Sequence, residues 1–454
     1  MRKEKIMNKP KNTRRDFIRH AGAALSMPIL VSARALGEQN PEKPALLGGS
    51  PTRKEPFPSW PQAEKIDQDL FADSFRRMEW CRLYGDITTT FETTWAEKLG
   101  AKYCTGVVNG TSALYAALFA LDVGPGDEVL VPPYTFVATV NAVLQQYALP
   151  VFVDSDRETM QMDTTKLEDR ITDHTRCIMP VHLGGSMANM DNVLAVAKKH
   201  SLSVVEDACQ AHFAEWHGKK SGTLGDIGCF SFQSTKILPC GEGGAIVSSN
   251  EELLDKFHAF QNNGRDRKTG TRHGYQYQGG NLRMTEFQGA VLLGQLNRFE
   301  EICRHREENA DYLTKLLEDI PGISRAKMHE GCNRNTYYIY MMKYDQEQFG
   351  GLPRDKFTNA MNKEGIPIGS GYSRPLNQEP FIEKMLSSNA YKRIYSKERL
   401  NRYREMNHCP ENDKLCNEGL FMSQTYLLGT RQDVEQIAEA IRKIRAYAHK
   451  LIKT

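Results

Sequence analysis

The chain has 454 residues, of which 40% are hydrophobic, 9% aromatic and 25% charged. That is enough apolar material for a sizeable core in about two domains, and it excludes a disordered or collagen-like chain. The formal charge is +3, yet residues 1–35 hold nine Lys/Arg against two acids, leaving 50 basic and 54 acidic side chains for the rest. The body therefore offers no charge argument for nucleic acid or an anionic membrane surface, and no apolar run reaches the roughly 18–20 residues of a spanning helix.

The chain opens with Thr13-Arg14-Arg15-Asp16-Phe17-Ile18-Arg19, a mostly apolar stretch from Ala21 to Val31, and Ala33-Arg34-Ala35. Basic residues, apolar stretch and A-x-A site follow in the order of a secretory signal, and the paired arginines before Phe17 resemble a twin-arginine leader. We expect residues 1–35 to be that signal peptide and the mature chain to be periplasmic; without a working leader it stays cytoplasmic. Residues 36–60, with Gly48-Gly49-Ser50-Pro51 and Pro56-Phe57-Pro58, form an arm too punctuated for regular structure. Ten cysteines include no C-x-x-C pair, which argues against a zinc knuckle or a thioredoxin-type site, and no metal site is expected.

From about residue 100 to 250 short apolar runs alternate with helix-like segments. Strands are predicted at 105–108, 128–131, 150–154, 177–181, 202–205, 227–232 and 245–248. Helices are predicted at 112–121, 136–146, 165–171 and 190–200, with apolar residues near 3.6 spacing. That rhythm implies an α/β fold with a mostly parallel seven-stranded sheet covered by helices on both faces. Beyond Gly280 the pattern changes to charged amphipathic helices through about 318, a strand at 337–344, a helix near 355–364 and a closing helix at 431–449. We therefore expect a large domain over 61–300 and a smaller C-terminal α+β domain over 301–454.

Ligands of an open parallel sheet bind outside the carboxyl ends of its strands. After Val107-Val108 comes Asn109-Gly110-Thr111-Ser112, a tight turn leading into a helix start, where free N–H groups and the helix dipole suit a phosphate. After Val204-Val205 come Glu206-Asp207, carboxylates at a strand mouth that need a cation or donors to stay charged. After Phe230-Ser231-Phe232 comes Gln233-Ser234-Thr235-Lys236, which holds a lysine on a turn near Gly241–Gly244, a place for an amine that forms and breaks an imine. Phe136 stands at another strand end, where its ring can stack on a flat heteroaromatic group. Each feature alone is an ordinary cap, ion pair, surface lysine or core ring. Together they describe a single ligand with a phosphate, a ring nitrogen and an aldehyde, and pyridoxal phosphate has those groups.

From about Leu46 to its end the sequence also resembles the DegT/DnrJ/EryC1/StrS sugar aminotransferases. The resemblance runs through Asn109–Leu114, Val123–Val129, Thr135–Ala138, Pro180–Gly185, Glu206–His212, Gly225–Phe232 with Lys236, Gly241–Gly244 and Asn281–Met284. It implies the type I fold of pyridoxal-phosphate transferases, with Lys236 bonding the cofactor and Asp207 facing its ring nitrogen as the catalytic pair. It implies further that Phe136 stacks on the ring, Gln210 contacts the ring oxygen, and Gly110, Thr111, Ser112 and Ser231 hold the phosphate. Asn281 would reach that phosphate from a neighbouring subunit, so the active site would be shared in a homodimer.

The substrates implied are a small-molecule amino donor, glutamate or glutamine, and a keto sugar or keto-cyclitol acceptor. The arm and the tail 421–429 are similar to the scyllo-inosose branch. Other amino-acid chemistry on the same cofactor, or a non-catalytic cofactor-binding sensor, would use the same cofactor residues. Phe213, Gly280 and Gly185-Ser186 depart from the family pattern and are expected to border the acceptor; Tyr84, His182 and Tyr372 stand where they could touch it too, with a structural role the favoured reading of each.

Overall fold

The computed structural model of the chain describes residues 42–454. The expected signal peptide and residues 36–41 of the expected arm lie outside the described residues. Glu42–Thr454 form one compact unit.

All seven predicted runs enter one sheet, ordered Tyr103–Val107, Gly244–Ser248, Ile227–Ser231, Ser203–Asp207, Thr175–Ile178, Glu128–Val131, Leu149–Phe152. Gly244–Ser248 runs antiparallel to both of its neighbours, and every other pair is parallel. The strands read as continuous apolar runs because helices cover both faces: every residue of Glu128–Val131, Ile227–Ser231 and Gly244–Ser248 is buried. Parallel pairing aligns the carboxyl ends of the central strands, with Cys229 opposite Asp207.

The helices Gly110–Ala120, Ala138–Gln145 and Met190–His200 follow the sequence expectation. The segment 165–171 differs, because it forms two 3-10 turns, Thr164–Lys166 and Glu168–Arg170. Asp163 caps the first turn through the Thr165 amide, and Arg170 is drawn outward to the carbonyls of Met406 and His408. So short a stretch does not sustain an α-helix against those local bonds.

Ile323–Arg325, Ile339–Tyr344 and Gly419–Ser423 form a three-stranded antiparallel sheet. Its own core joins Leu313, Tyr340, Met342, Phe357, Ile437 and Ile441 with helices Phe299–Leu317, Arg354–Lys363 and Arg431–Ala446. The short helices between 380 and 406 follow a different course. Tyr391, Tyr395, Leu400 and Tyr403 join the core of the large sheet. The three tyrosine hydroxyls donate to the carbonyls of Ala148, Tyr147 and Pro150 at 3.0, 2.6 and 2.8 Å. Rings that bury area while their hydroxyls find acceptors suit a sheet edge with free carbonyls.

Among its described residues the arm forms one 3-10 turn, Ala45–Leu47. It is tied to the C-terminal part by buried Glu364, which accepts from the amides of Ala45 and Thr52 and from Lys443 Nζ at 2.7, 2.8 and 2.9 Å. Arg53 pairs with Asp433, and Phe57 stacks on Tyr426 with ring centroids 4.1 Å apart. Among the described residues no helix is long and apolar enough to cross a membrane.

Candidate active site

A cavity of about 560 Å³ opens at the carboxyl ends of the central strands. Gly110, Thr111, Phe136, Asp207, Gln210, Ser231 and Lys236, all singled out from sequence, line it together. Ser112 and Asn281 are not in that lining. The Ser112 amide donates to Asn109 Oδ1 at 2.8 Å, capping the helix Gly110–Ala120, while Asn281 is exposed and bridges to Asn262.

Asp207 ends its strand at 4% exposure. Its Oδ2 accepts from Thr139 Oγ1 at 2.8 Å and its Oδ1 from the Cys209 amide at 3.2 Å. Cys209 also lines the cavity; burial, with Asp207 nearby, pushes its thiol well above the ordinary range, so it stays protonated and is a poor nucleophile. Behind Ser231, the His212 ring donates from Nε2 to the Ser231 carbonyl at 2.8 Å. Burial pushes its pKa down to about 3, so this imidazole is neutral near pH 7.

Gly110 needs its missing side chain. A Cβ there would stand 2.6 Å from Ser231 Cβ, so glycine lets the helix start meet the strand end. Lys236 sits on a turn closed by its own amide to the Gln233 carbonyl at 2.8 Å and by Ser234 to Gly241 at 2.8 Å. Its Nζ lies 4.2 Å from the centre of the Tyr338 ring, whose hydroxyl meets Thr235 Oγ1 at 2.9 Å. Tyr338 reaches this position because Gly185, at φ 104°, packs against the chain at Tyr337, where a Cβ would meet the Tyr337 nitrogen at 2.6 Å.

Sequence reasoning missed Thr139 and Tyr338, and of the two readings open for Tyr372, acceptor contact or structural, it favoured the structural one. Tyr372 lines the cavity, and its hydroxyl accepts from Gln210 Nε2 at 3.3 Å. His182 instead belongs to the framework, fully buried with Nε2 2.9 Å from Glu206 Oε2. The departures expected to border the acceptor do not line the cavity. Phe213 is a core residue packed on Trp95 and Phe299 at 4.9 and 5.0 Å; it adopts φ 59°, a left-handed conformation that favours glycine. Gly280 lies on the chain beside Asn263, and Gly185-Ser186 pack beneath the segment 332–338.

The model of the DegT/DnrJ/EryC1/StrS aminotransferase family matches residues 63–441. The chain belongs to this family. It is 32% identical over 420 residues to L-glutamine:2-deoxy-scyllo-inosose aminotransferase of Streptoalloteichus tenebrarius, covering 88% of this chain and 97% of that protein. A Micromonospora echinospora protein, provisionally described as an L-glutamine:3-amino-2,3-dideoxy-scyllo-inosose aminotransferase, is 33% identical over 410 residues, 89% of this chain and 97% of that one. The crystal structure of 3-amino-5-hydroxybenzoic acid synthase superposes with a TM-score of 0.77 at 30% identity, covering 88% of this chain and all of that one. The fold is that of type I pyridoxal-phosphate aminotransferases, and the cofactor is pyridoxal phosphate.

The residues present fit that group. The hollow between Gly110, Thr111 and Ser231 offers a helix start to a phosphate. Asp207 is held by a hydroxyl and an amide rather than by a cation, which suits a carboxylate that is to accept from a protonated ring nitrogen.

Proposed function

We propose that this aminotransferase moves an amino group from glutamine or glutamate to a keto-cyclitol or keto sugar that carries no nucleotide. The cavity lining carries this proposal. Around Lys236, the side chains of Gln210, Gln233, Thr235, Tyr338 and Tyr372 offer amides and hydroxyls, and Glu242 adds a carboxylate. Among the described residues of this chain that line the cavity, Lys236 is the sole lysine or arginine. That set matches a ring of hydroxyls and disfavours a diphosphate, whose recognition calls for clustered cations. The relatives named for L-glutamine and scyllo-inosose ketones support the same substrate class.

When bound, pyridoxal phosphate supplies the electron sink for amino-group transfer. Gly110, Thr111 and Ser231 would hold its phosphate, Phe136 would lie against its ring, and Asp207 would keep the ring nitrogen protonated. Thr139 keeps the Asp207 carboxylate in place. The Lys236 amine is the group in this cavity suited to take a proton from the donor's α-carbon and return it.

The proposal includes a homodimer. Phe71, Phe75, Trp80 and Phe287 form an aromatic patch in which Phe71, Phe75 and Trp80 are exposed, as are Met78 and Tyr84 beside it, and such patches mark association surfaces. Asn281, exposed and away from its own chain's cavity, would serve the neighbouring one. It includes export as well, on the order of features in residues 1–35.

The test is the visible absorption of purified protein, wild type and Lys236→Ala, with glutamine or glutamate added, followed by amination assays. A visible band that needs Lys236 and fades with a donor, together with turnover of a free keto-cyclitol or keto sugar, is the expected result. A band unmoved by either donor, or turnover confined to nucleotide-linked ketones, overturns the proposal.

A further inference from the structure

Lys236 is held from two sides that the cavity does not contain. Trp60, on the arm, donates its indole Nε1–H to the Lys236 carbonyl at 2.9 Å. Gln424, just after the strand Gly419–Ser423, donates Nε2–H to the Thr235 carbonyl at 2.7 Å. We propose that Trp60 and Gln424 are positioning residues for Lys236, fixing the direction in which its side chain leaves the backbone. This inference rests on the aminotransferase reading of Lys236.

The reason is geometric. The Thr235 carbonyl belongs to the rigid peptide plane before the Lys236 Cα, and the Lys236 carbonyl belongs to the plane after it. A residue's backbone has only two soft rotations, one toward each plane. Pinning both planes removes both rotations and sets the Cα–Cβ direction. The first plane is held at its other edge too, by the Lys236 amide bonded to the Gln233 carbonyl at 2.8 Å. Lysine has a long, freely rotating stem, so fixing its root narrows the positions its amine samples.

The two donors are tied to each other. Phe57, three residues before Trp60, stacks on Tyr426, two residues after Gln424. The arm and the tail therefore approach the lysine turn as one packed unit. The Gln424 side chain carries a second sign of purpose. It is 1% exposed and its Oε1 is buried with no hydrogen-bond partner. An apolar residue would avoid that cost, so packing alone does not account for an amide here. Neither Trp60 nor Gln424 lines the cavity, so each acts on the lysine through its backbone.

Trp60→Phe keeps the ring, and Gln424→Met keeps the length of a buried side chain; each removes one donor. Apo-protein is mixed with pyridoxal phosphate, and the rise of the visible band is followed across pH as the Lys236 amine condenses with the cofactor aldehyde and water leaves. Borohydride trapping and peptide mapping locate the attachment. Binding of pyridoxamine phosphate, which has no aldehyde and makes no bond to the lysine, reports on the cavity itself.

Each variant is expected to slow attachment by about threefold to tenfold, the equivalent of one hydrogen bond, and to move the pH midpoint of the band, while pyridoxamine phosphate binds as in wild type. The double variant should slow attachment by less than the product of the two, since both act on one residue. Attachment at the wild-type rate and midpoint in both variants overturns the positioning role and leaves the aminotransferase reading intact. So does a loss of pyridoxamine phosphate binding equal to the loss in attachment rate, which means damage to the cavity. A wild-type protein that attaches the cofactor nowhere, or at another lysine, overturns the aminotransferase reading and this inference with it. Should Trp60→Phe fail to fold, Gln424→Met decides through the neighbouring carbonyl.

Discussion

Thr139 Oγ1 lies 2.8 Å from Asp207 Oδ2, and Thr135 Oγ1 lies 3.0 Å from Thr139 Oγ1, all three side chains being buried. An ionised carboxylate only accepts, so Thr139 directs its proton to Asp207 and Thr135 directs its own to Thr139. The chain of hydroxyls holds Asp207 in one orientation without neutralising it. Thr139→Val nearly preserves shape while removing this bond. We expect kcat/KM to fall about threefold to tenfold, the equivalent of one hydrogen bond, with a matching loss of cofactor affinity. Thr139→Ser should restore most of both, and steady-state kinetics beside a cofactor titration check it.

What the sequence made legible here follows from strand ends. Gly110, Thr111, Asp207, Ser231 and Lys236 each lie beside an apolar run whose period could be read, and a parallel sheet brings such ends together. Thr139 escaped because a threonine inside a helix has no local signal that distinguishes a donor to a carboxylate from a residue in the core. Tyr338 and Tyr372 approach from the C-terminal part, and their place depends on how its sheet meets the large one, which periodicity does not encode. The helices between 380 and 406 escaped for the same reason: amphipathic spacing shows that a face is buried, not against which domain.

His212 gives the protein a pH-dependent stability. Burial lowers its pKa from 6.5 to about 3 in the folded state. Between those values the unfolded chain holds a proton that the folded chain does not. Its stability term is therefore fully present above about pH 6.5 and is lost as pH falls toward 3, by roughly 1.4 kcal/mol per pH unit. His258, lowered by burial to about 4, adds in the same direction. His212→Gln offers the Ser231 carbonyl an amide donor without titrating. Urea unfolding at pH 7 and pH 5 should show a smaller difference in this variant than in wild type; an unchanged difference would refute the assignment.

Glu206 organises the loop beneath the sheet. Its oxygens accept from the amides of Gly222, Leu224 and Gly225 at 2.8, 2.7 and 2.7 Å, and His182 Nε2 lies 2.9 Å away. Every donor is spent on a fully buried carboxylate. Glu206→Gln replaces one acceptor oxygen by a donor and sets N–H against N–H, at a cost of about 2–4 kcal/mol by the loss of charge-assisted bonds. Thermal unfolding should fall by several degrees, and activity should fall chiefly through the fraction of folded protein. A variant as stable as wild type would show that the loop has another anchor.

The arm that brings Trp60 to Lys236 hangs on Glu364. Burial pulls its pKa upward, but Lys443 and the donors of Ala45 and Thr52 outweigh burial, so the net shift is downward. Its stability term is therefore present above the ordinary carboxylate range and is lost as pH falls through the lowered folded-state value. Glu364→Gln should imitate that loss at neutral pH. It leaves Lys443, buried at 4% exposure, without its charge partner, a change worth about 3 kcal/mol. We expect limited proteolysis to cut between residues 42 and 61 faster than in wild type, and cofactor attachment at Lys236 to slow in parallel. Faster cutting with attachment unchanged would show that the arm and the lysine turn are independent, which the Trp60 to Lys236 bond argues against.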